Sequence, residues 1–249
     1  MEELSRKIGE AAGLLKSSRH AVALTGAGVS TESGIPDFRS PGSGLWTFVN
    51  PELFTIQGFM ANPGQFYEAG MPFFRMLEQA EPNEAHTALA ELEERGLVRA
   101  VITQNVDGLH QKGGSKRVLE IHGSLRSAFC VHCGREVPVE EVVADVEEGL
   151  VPPLCVDCGD PLKPGVVLFG EPLSPDYREA LEEAKKADLI LVVGSSMQVS
   201  PANQIPKMAD KLIIINRAPT FYDEQADVVI NESTARAMRL LLKELEVGS

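Results

Sequence analysis

Long hydrophobic runs are missing from this sequence of 249 residues. The longest apolar stretches, such as Leu189 to Val193, fall far short of the ~20 residues that a membrane-spanning helix requires. The opening residues, MEELSRKIGEAAG, contain no apolar core of a secretory leader, so export is not expected. Basic charge is also scarce: 23 Lys and Arg stand against 36 Asp and Glu, a net charge of −13. That balance argues against direct binding to nucleic acid or to an anionic membrane. It would suit a basic partner such as a lysine-rich peptide, and solubility explains it equally. Internal repeats and low-complexity segments are absent. Cysteine is rare, and the four present form two Cys-x-x-Cys pairs. In an unexported chain such pairs indicate metal rather than disulfides. What remains is a cytoplasmic protein of ordinary globular composition, 43% hydrophobic and 24% charged, long enough to bury a core.

Helical and strand signals alternate along most of the chain. Leu4, Ile8, Ala11 and Leu15 recur at helical spacing, and Ala21 to Leu24 reads as a buried strand. Asn83 is a good N-cap for a helix over 84–95, with Gly96 as its C-cap. Strands are predicted over 99–103, 118–121, 166–169, 189–193, 212–215 and 227–230, and helices over 175–186 and 234–246. Continuous apolar strands alternating with amphipathic helices predict an α/β fold, a parallel sheet covered on both faces. Ligands in such sheets lie beyond the carboxyl ends of the strands. Two stretches break the alternation. Residues 40–76, with the single tryptophan Trp46, read as a functional loop leading into helices. Residues 126–164 carry all four cysteines and read as an insertion.

The segment Thr25 to Arg39, TGAGVSTESGIPDFR, concentrates the chemistry. Gly26-Ala27-Gly28 after a strand resembles a phosphate-binding turn, where glycines permit sharp bending and close approach of backbone N–H groups. The dinucleotide fingerprint would place a third glycine where Thr31 stands, and no strand-end acid follows about twenty residues on. Instead Asp37, Phe38 and Arg39 put an acid, a ring and a guanidinium side by side. Cys130, Cys133, Cys155 and Cys158 have the spacing of a four-thiolate zinc site, closed to water and therefore structural. Residues 126–163 carry three basic and eight acidic side chains, a poor phosphate-binding surface. His132 within the first knuckle reads as a solvated bystander.

Gln104, Asn105 and Asp107 follow a strand and suit a carboxamide, although turn chemistry explains them equally. His110 reads as a packed or capping residue. His122 ends another strand before Gly123, a place for a general base or for a structural histidine. Gly194-Ser195-Ser196 and Asn216-Arg217 end two more strands with groups that suit ribose and phosphate.

Taken together, GAGVSTESGIPDFRSPGSGLW, TQNVDGLHQKGG, EIHGS, the paired knuckles, PGVVLFGE, GSSMQVSP and INRAPT resemble the sirtuins, the NAD-dependent protein lysine deacylases. The resemblance spans nearly the whole chain in the family's order. It implies a Rossmann-like NAD-binding domain over 1–39, 77–125 and 165–249. A small domain would combine a helical module, 40–76, with a zinc module, 126–164. NAD would contact Gly26, Ala27, Thr31, Phe38, Arg39, Gln104, Gly194, Ser195, Ser196, Asn216 and Thr234. Asn105, Val106 and Asp107 would line the nicotinamide pocket, and His122 would be the general base. Val167, Phe169, Gly170 and Val199 would line the acyl-lysine channel, the extended segment pairing with the substrate peptide. The implied reaction yields free lysine, nicotinamide and O-acetyl-ADP-ribose, with zinc structural and the enzyme a monomer. Mono-ADP-ribosyl transfer, or a noncatalytic NAD or zinc-ribbon adaptor, are the alternatives. Departures from the family pattern include Ser174, Ser195, Met197 and Glu232 to Ala235, the last leaving Thr234 weakly supported. A Tyr-x-x-Arg pair, which sirtuins acting on succinyl or malonyl groups share, is replaced by Gly70 and Phe73, favouring acetyl or longer apolar acyl groups.

Overall fold

The computed structural model describes residues 2–247. Nine strands run in chain order: β1 Ala21–Thr25, β2 Val101–Thr103, β3 Val118–Glu120, β4 Gly123–Cys130, β5 Glu136–Pro138, β6 Leu162–Val166, β7 Leu189–Val193, β8 Lys211–Ile215 and β9 Val228–Ile230. The α-helices are α1 Glu2–Ser17, α2 Ile56–Ala61, α3 Pro63–Gln79, α4 Glu84–Glu94, α5 Leu109–Lys112, α6 Val139–Glu147, α7 Asp176–Lys186 and α8 Thr234–Val247. Six strands form one parallel sheet in the order β3-β2-β1-β7-β8-β9. Counted within that sheet the order is 3-2-1-4-5-6, that of a Rossmann fold, whose strand order reverses between β1 and β7.

Side-chain alternation along each strand fills both faces. Ala21 and Ala23 of β1, with Leu189, Leu191 and Val193 of β7, pack on one face against Leu15 of α1, Leu89 and Leu92 of α4, and Leu241 of α8. Val22, Leu24, Ile190 and Val192 pack on the other against Ala180 and Ala184 of α7. Burial on both faces explains why these strands read as unbroken apolar runs.

A second, antiparallel sheet orders β5-β4-β6. Its core joins Ala128, Val137, Val142 and Leu162 to Phe59 of α2 and Phe66, Tyr67 and Met71 of α3. The Tyr67 hydroxyl donates to the Leu162 carbonyl at 2.7 Å, tying α3 to β6.

One strand is displaced from its predicted place. Residues 166–169 were expected to be a strand, but β6 ends at Val166. Beyond it the backbone remains extended and is held singly: Val167 N–H donates to the His122 carbonyl, and Phe169 N–H to the Phe54 carbonyl. A ladder needs one continuous neighbour, and here two different loops supply the partners.

Candidate active site

The turns after β1 and β7 cross at the reversal point, and their contact requires glycine. Gly28 N–H donates to the Gly194 carbonyl at 2.8 Å, and a Cβ on Gly28 would lie 2.7 Å from that oxygen. Gly194 has φ +65°, and a Cβ there would lie 2.2 Å from Val29 N. These glycines therefore serve backbone-to-backbone packing. The chain then makes two short 3₁₀ turns, and Thr31 Oγ1 donates to the Gly28 carbonyl at 3.0 Å.

Asp37 proves to be a turn former. Its carboxylate accepts the backbone N–H groups of Arg39 and Ser40 at 2.9 and 2.7 Å. That turn presents Phe38 and Arg39 to the crevice. The Phe38 ring lies 5.2 Å from Trp46 and 6.4 Å from Phe73, so the loop leans on the helical segment.

At the end of β2, Gln104 Nε2 donates to Ser195 Oγ at 2.9 Å, joining two strand ends across the reversal point. Asn105 belongs to a buried network that sequence reasoning missed. Ser30, 1% exposed, donates to Asp107 Oδ2 at 2.7 Å and accepts from Asn105 Nδ2 at 3.0 Å. His86 Nε2 reaches the same hydroxyl at 3.3 Å, while His86 Nδ1 accepts Asn83 N–H at 3.2 Å. The pattern is self-consistent. Nδ1 is an acceptor, so the His86 proton sits on Nε2, and the one Ser30 proton goes to Asp107. The Asn105 amide nitrogen is thereby turned inward and its Oδ1 is left for a ligand. Burial pushes the His86 imidazole down to about 4, with Asp107 opposing. His110, 1% exposed, contacts Thr25 Oγ1 at 2.8 Å, and burial followed by His86 pushes it down to about 3. It is a packed histidine. The available signals for His86 were its place three residues after the Asn83 cap and its absence from any exposed face.

His122 follows β3. Its Nδ1 lies 2.9 Å from the Gln104 carbonyl, which only accepts, so Nδ1 carries the proton and Nε2 keeps its lone pair. Burial lowers its pKa below the ordinary imidazole value, partly offset by that hydrogen bond.

All of these strand ends open into one cavity of about 760 Å³. His122 lines it, as do Gly26, Ala27, Thr31, Phe38, Arg39, Gln104, Asn105, Val106, Asp107, Gly194, Ser195, Ser196, Asn216 and Thr234. Val167, Phe169, Gly170 and Val199 line it as well. Thr234, at the start of α8, is 4% exposed and approaches the Gly28 carbonyl at 3.5 Å. Glu32 Oε2 accepts Ala235 N–H at 2.9 Å and fixes that helix start against the loop.

The four cysteines stand apart from the cavity. Their sulfurs lie within 4.8 Å of one another, with Cys130 to Cys158 at 3.4 Å and Cys133 to Cys155 at 3.7 Å. A tetrahedral zinc with bonds of about 2.3 Å needs sulfur separations of about 3.8 Å, so the set fits the ion. His132 adds no ligand and donates only its backbone N–H towards Cys130.

The model of the Sir2 family matches residues 26–201. An NAD-dependent protein deacetylase 2 of Caldanaerobacter subterraneus subsp. tengcongensis is 48% identical over 231 residues, covering 92% of each chain. A solved Sir2 complex with p53 peptide and NAD+ superposes with a TM-score of 0.89 at 41% identity, covering 96% of this chain and 98% of that one. A second, with deacetylated p53 peptide and 3′-O-acetyl ADP ribose, gives 0.91 at 41% identity, covering 94% and 97%.

Proposed function

This chain belongs to the Sir2 family, and we propose on that premise that it is an NAD-dependent protein-lysine deacetylase. The observation that carries the reading is the His122 tautomer. A proton fixed on Nδ1 by the Gln104 carbonyl leaves Nε2 as an unprotonated base in the cavity that also holds Asn105 and Asp107.

NAD, when bound, supplies a ribose carbon that carries nicotinamide as a neutral leaving group. The chain's own residues do the remaining work. Gly26, Ala27, Thr31, Gln104, Gly194, Ser195, Ser196, Asn216 and Thr234 hold the dinucleotide along the strand ends, and Arg39 reaches it from the loop. Asn105 Oδ1 and Asp107 accept the carboxamide NH₂, with Val106 beside them. Phe38 keeps water and returning nicotinamide from the sugar. His122 Nε2 would accept a proton from a ribose hydroxyl, the role of a general base. Val167, Phe169, Gly170 and Val199 wall the acyl-lysine. Zinc supplies no chemistry, because four thiolates close its coordination sphere.

The boundaries at 1–39, 77–125 and 165–249 against 40–76 and 126–164 belong to this reading; the core shared by Phe66, Tyr67 and Leu162 supports the second unit. A monomeric state, a cytoplasmic location suited to four cysteines that form no disulfide, and a preference for apolar acyl groups, supported by Phe73 on the cavity wall, belong to it as well.

Incubation with an acetyl-lysine peptide and NAD, followed by mass spectrometry, tests the proposal. The peptide should lose one acetyl group as O-acetyl-ADP-ribose forms, and His122→Ala should abolish this while NAD still binds. ADP-ribosylated protein without deacylation would favour the transferase reading, and intact NAD would favour an adaptor.

A further inference from the structure

The connector that carries His122 joins the two sheets, and one ion pair closes it. β3 ends at Glu120, His122 and Gly123 follow, and Arg126 lies on β4. The Arg126 guanidinium grips Glu120 with both arms: Nη1 donates to Oε1 at 2.9 Å and Nη2 donates to Oε2. Glu120 is 5% exposed at its side chain and Arg126 is 63% exposed. A buried carboxylate with a bidentate partner is a directional contact, unlike an ordinary surface pair.

The backbone around it explains why a clamp is needed there. The β4–β6 ladder pairs Gly123 with Val166, is interrupted, and resumes with Ala128 opposite Pro164. The extra residues of β4 form a bulge that arches over Gly165, where a Cβ would lie 3.0 Å from both the Ser124 and Ser127 carbonyls. Arg126 stands within the interrupted stretch. Below it the connector is pinned to β2 and to the start of α7: Glu120 N–H donates to Asp176 Oδ2 at 2.9 Å, Ser174 Oγ to the Glu120 carbonyl at 2.6 Å, and Ile121 N–H to the Thr103 carbonyl at 3.1 Å. Above it the single bond from Val167 N–H to the His122 carbonyl, 2.8 Å, relates the histidine to the acyl-lysine wall.

We propose that Arg126 is a positioning residue for the base, its clamp on Glu120 spanning the β4 bulge to hold His122 in register with Gln104 and Val167. The proposal rests on His122 being the base. Arg126 is not among the residues that line the cavity and acts through Glu120.

Arg126→Met, which retains the apolar stem, tests it. Expected are a kcat lower by roughly ten- to a hundred-fold, an NAD Kd within two-fold of the parent, and partial recovery in Arg126→Lys. Imidazole nitrogen NMR, with the His122 signal assigned by its loss in His122→Ala, should show a single Nδ1–H tautomer in the parent and a mixture in Arg126→Met. Glu120→Gln combined with Arg126→Met should remain slow, because the clamp and not the buried charge is what matters. Arg135→Met, which removes the exposed Arg135–Asp157 pair of the cysteine-bearing segment, should match the parent. A parent-like kcat and tautomer in Arg126→Met, restoration by the double variant, or equal losses of kcat and NAD affinity would each overturn the proposal. Deacetylation by His122→Ala would instead remove the reading it rests on, so the two failures are distinguishable.

Discussion

Replacing Ser30 by alanine should damage the proposed carboxamide site more than loss of one hydroxyl suggests. Ser30 accepts from Asn105 and His86 and donates to Asp107, so three groups lose a partner together. Their losses are unequal. Asn105, 9% exposed, and Asp107 line the cavity and can turn to water there. His86 is 0% exposed, and its Nδ1 is already committed to Asn83 N–H, so its proton cannot move to the other nitrogen. Its stranded N–H costs about 1–3 kcal/mol, and the two partly rescued groups bring the total to about 2–4 kcal/mol. For a chain of this size ~1 kcal/mol shifts Tm by about 2–4 °C, so calorimetry should show a fall of roughly 5–15 °C. Asn105 would also lose the contact that turns its oxygen towards the ligand. Nicotinamide exchange into NAD should therefore weaken more than NAD affinity measured by titration. A Tm within about 2 °C of the parent, or equal losses of exchange and affinity, refutes the network as drawn.

Other outcomes follow from the same structure. Burial lowers the His122 pKa, so the acid limb of kcat/KM should lie below the free-imidazole value of about 6.5; a limb above pH 7 contradicts a buried neutral base. His110 is held neutral down to about 3, whereas the unfolded chain takes up that proton near 6.5. The unfolded state therefore binds more protons between those values, and stability should fall as pH drops from about 6.5 towards 3. His110→Gln, which keeps a donor for Thr25, should flatten the Tm profile across that window, and an unchanged slope argues against it. Removing zinc should raise hydrogen exchange first across Cys130 to Cys158, and with it around Phe59 to Met71, because both share one core. Exchange that rises equally in β1 and β7 would contradict a local role for the metal.

The parallel sheet was legible because its strands are buried on both faces, and such strands announce themselves as apolar runs. Helix α4 was legible from Asn83, whose side chain accepts Ala85 N–H as a cap should. The strand expected over 166–169 was misplaced because Val166, Val167, Leu168 and Phe169 are apolar for different reasons. Val166 ends a ladder, Leu168 enters the small core, and Phe169 is 44% exposed on the cavity wall. Periodicity records burial and says nothing of which neighbour supplies hydrogen bonds. Ser30 and His86 were missed for a related reason. They lie far apart in sequence, and only the packing of α4 beneath the first loop brings them together.

The altered dinucleotide fingerprint has a physical explanation in the chain's path. The first two glycine positions are retained because the β1 and β7 turns meet here in backbone contact. The third glycine of such motifs lets a helix pack closely on its strand. No helix begins here: the chain leaves β1 through two 3₁₀ turns, so the position is free to be Thr31, whose hydroxyl caps the Gly28 carbonyl. The missing acid follows from the same detour. In a Rossmann unit it ends the second strand, but here the helical segment delays that strand to Val101–Thr103. The residue that then arrives, Gln104, binds Ser195 across the reversal point and offers its carbonyl to His122. Diverting the chain between the first two strands thus gives up an acid at the end of the second strand and gains a residue whose carbonyl fixes the His122 tautomer.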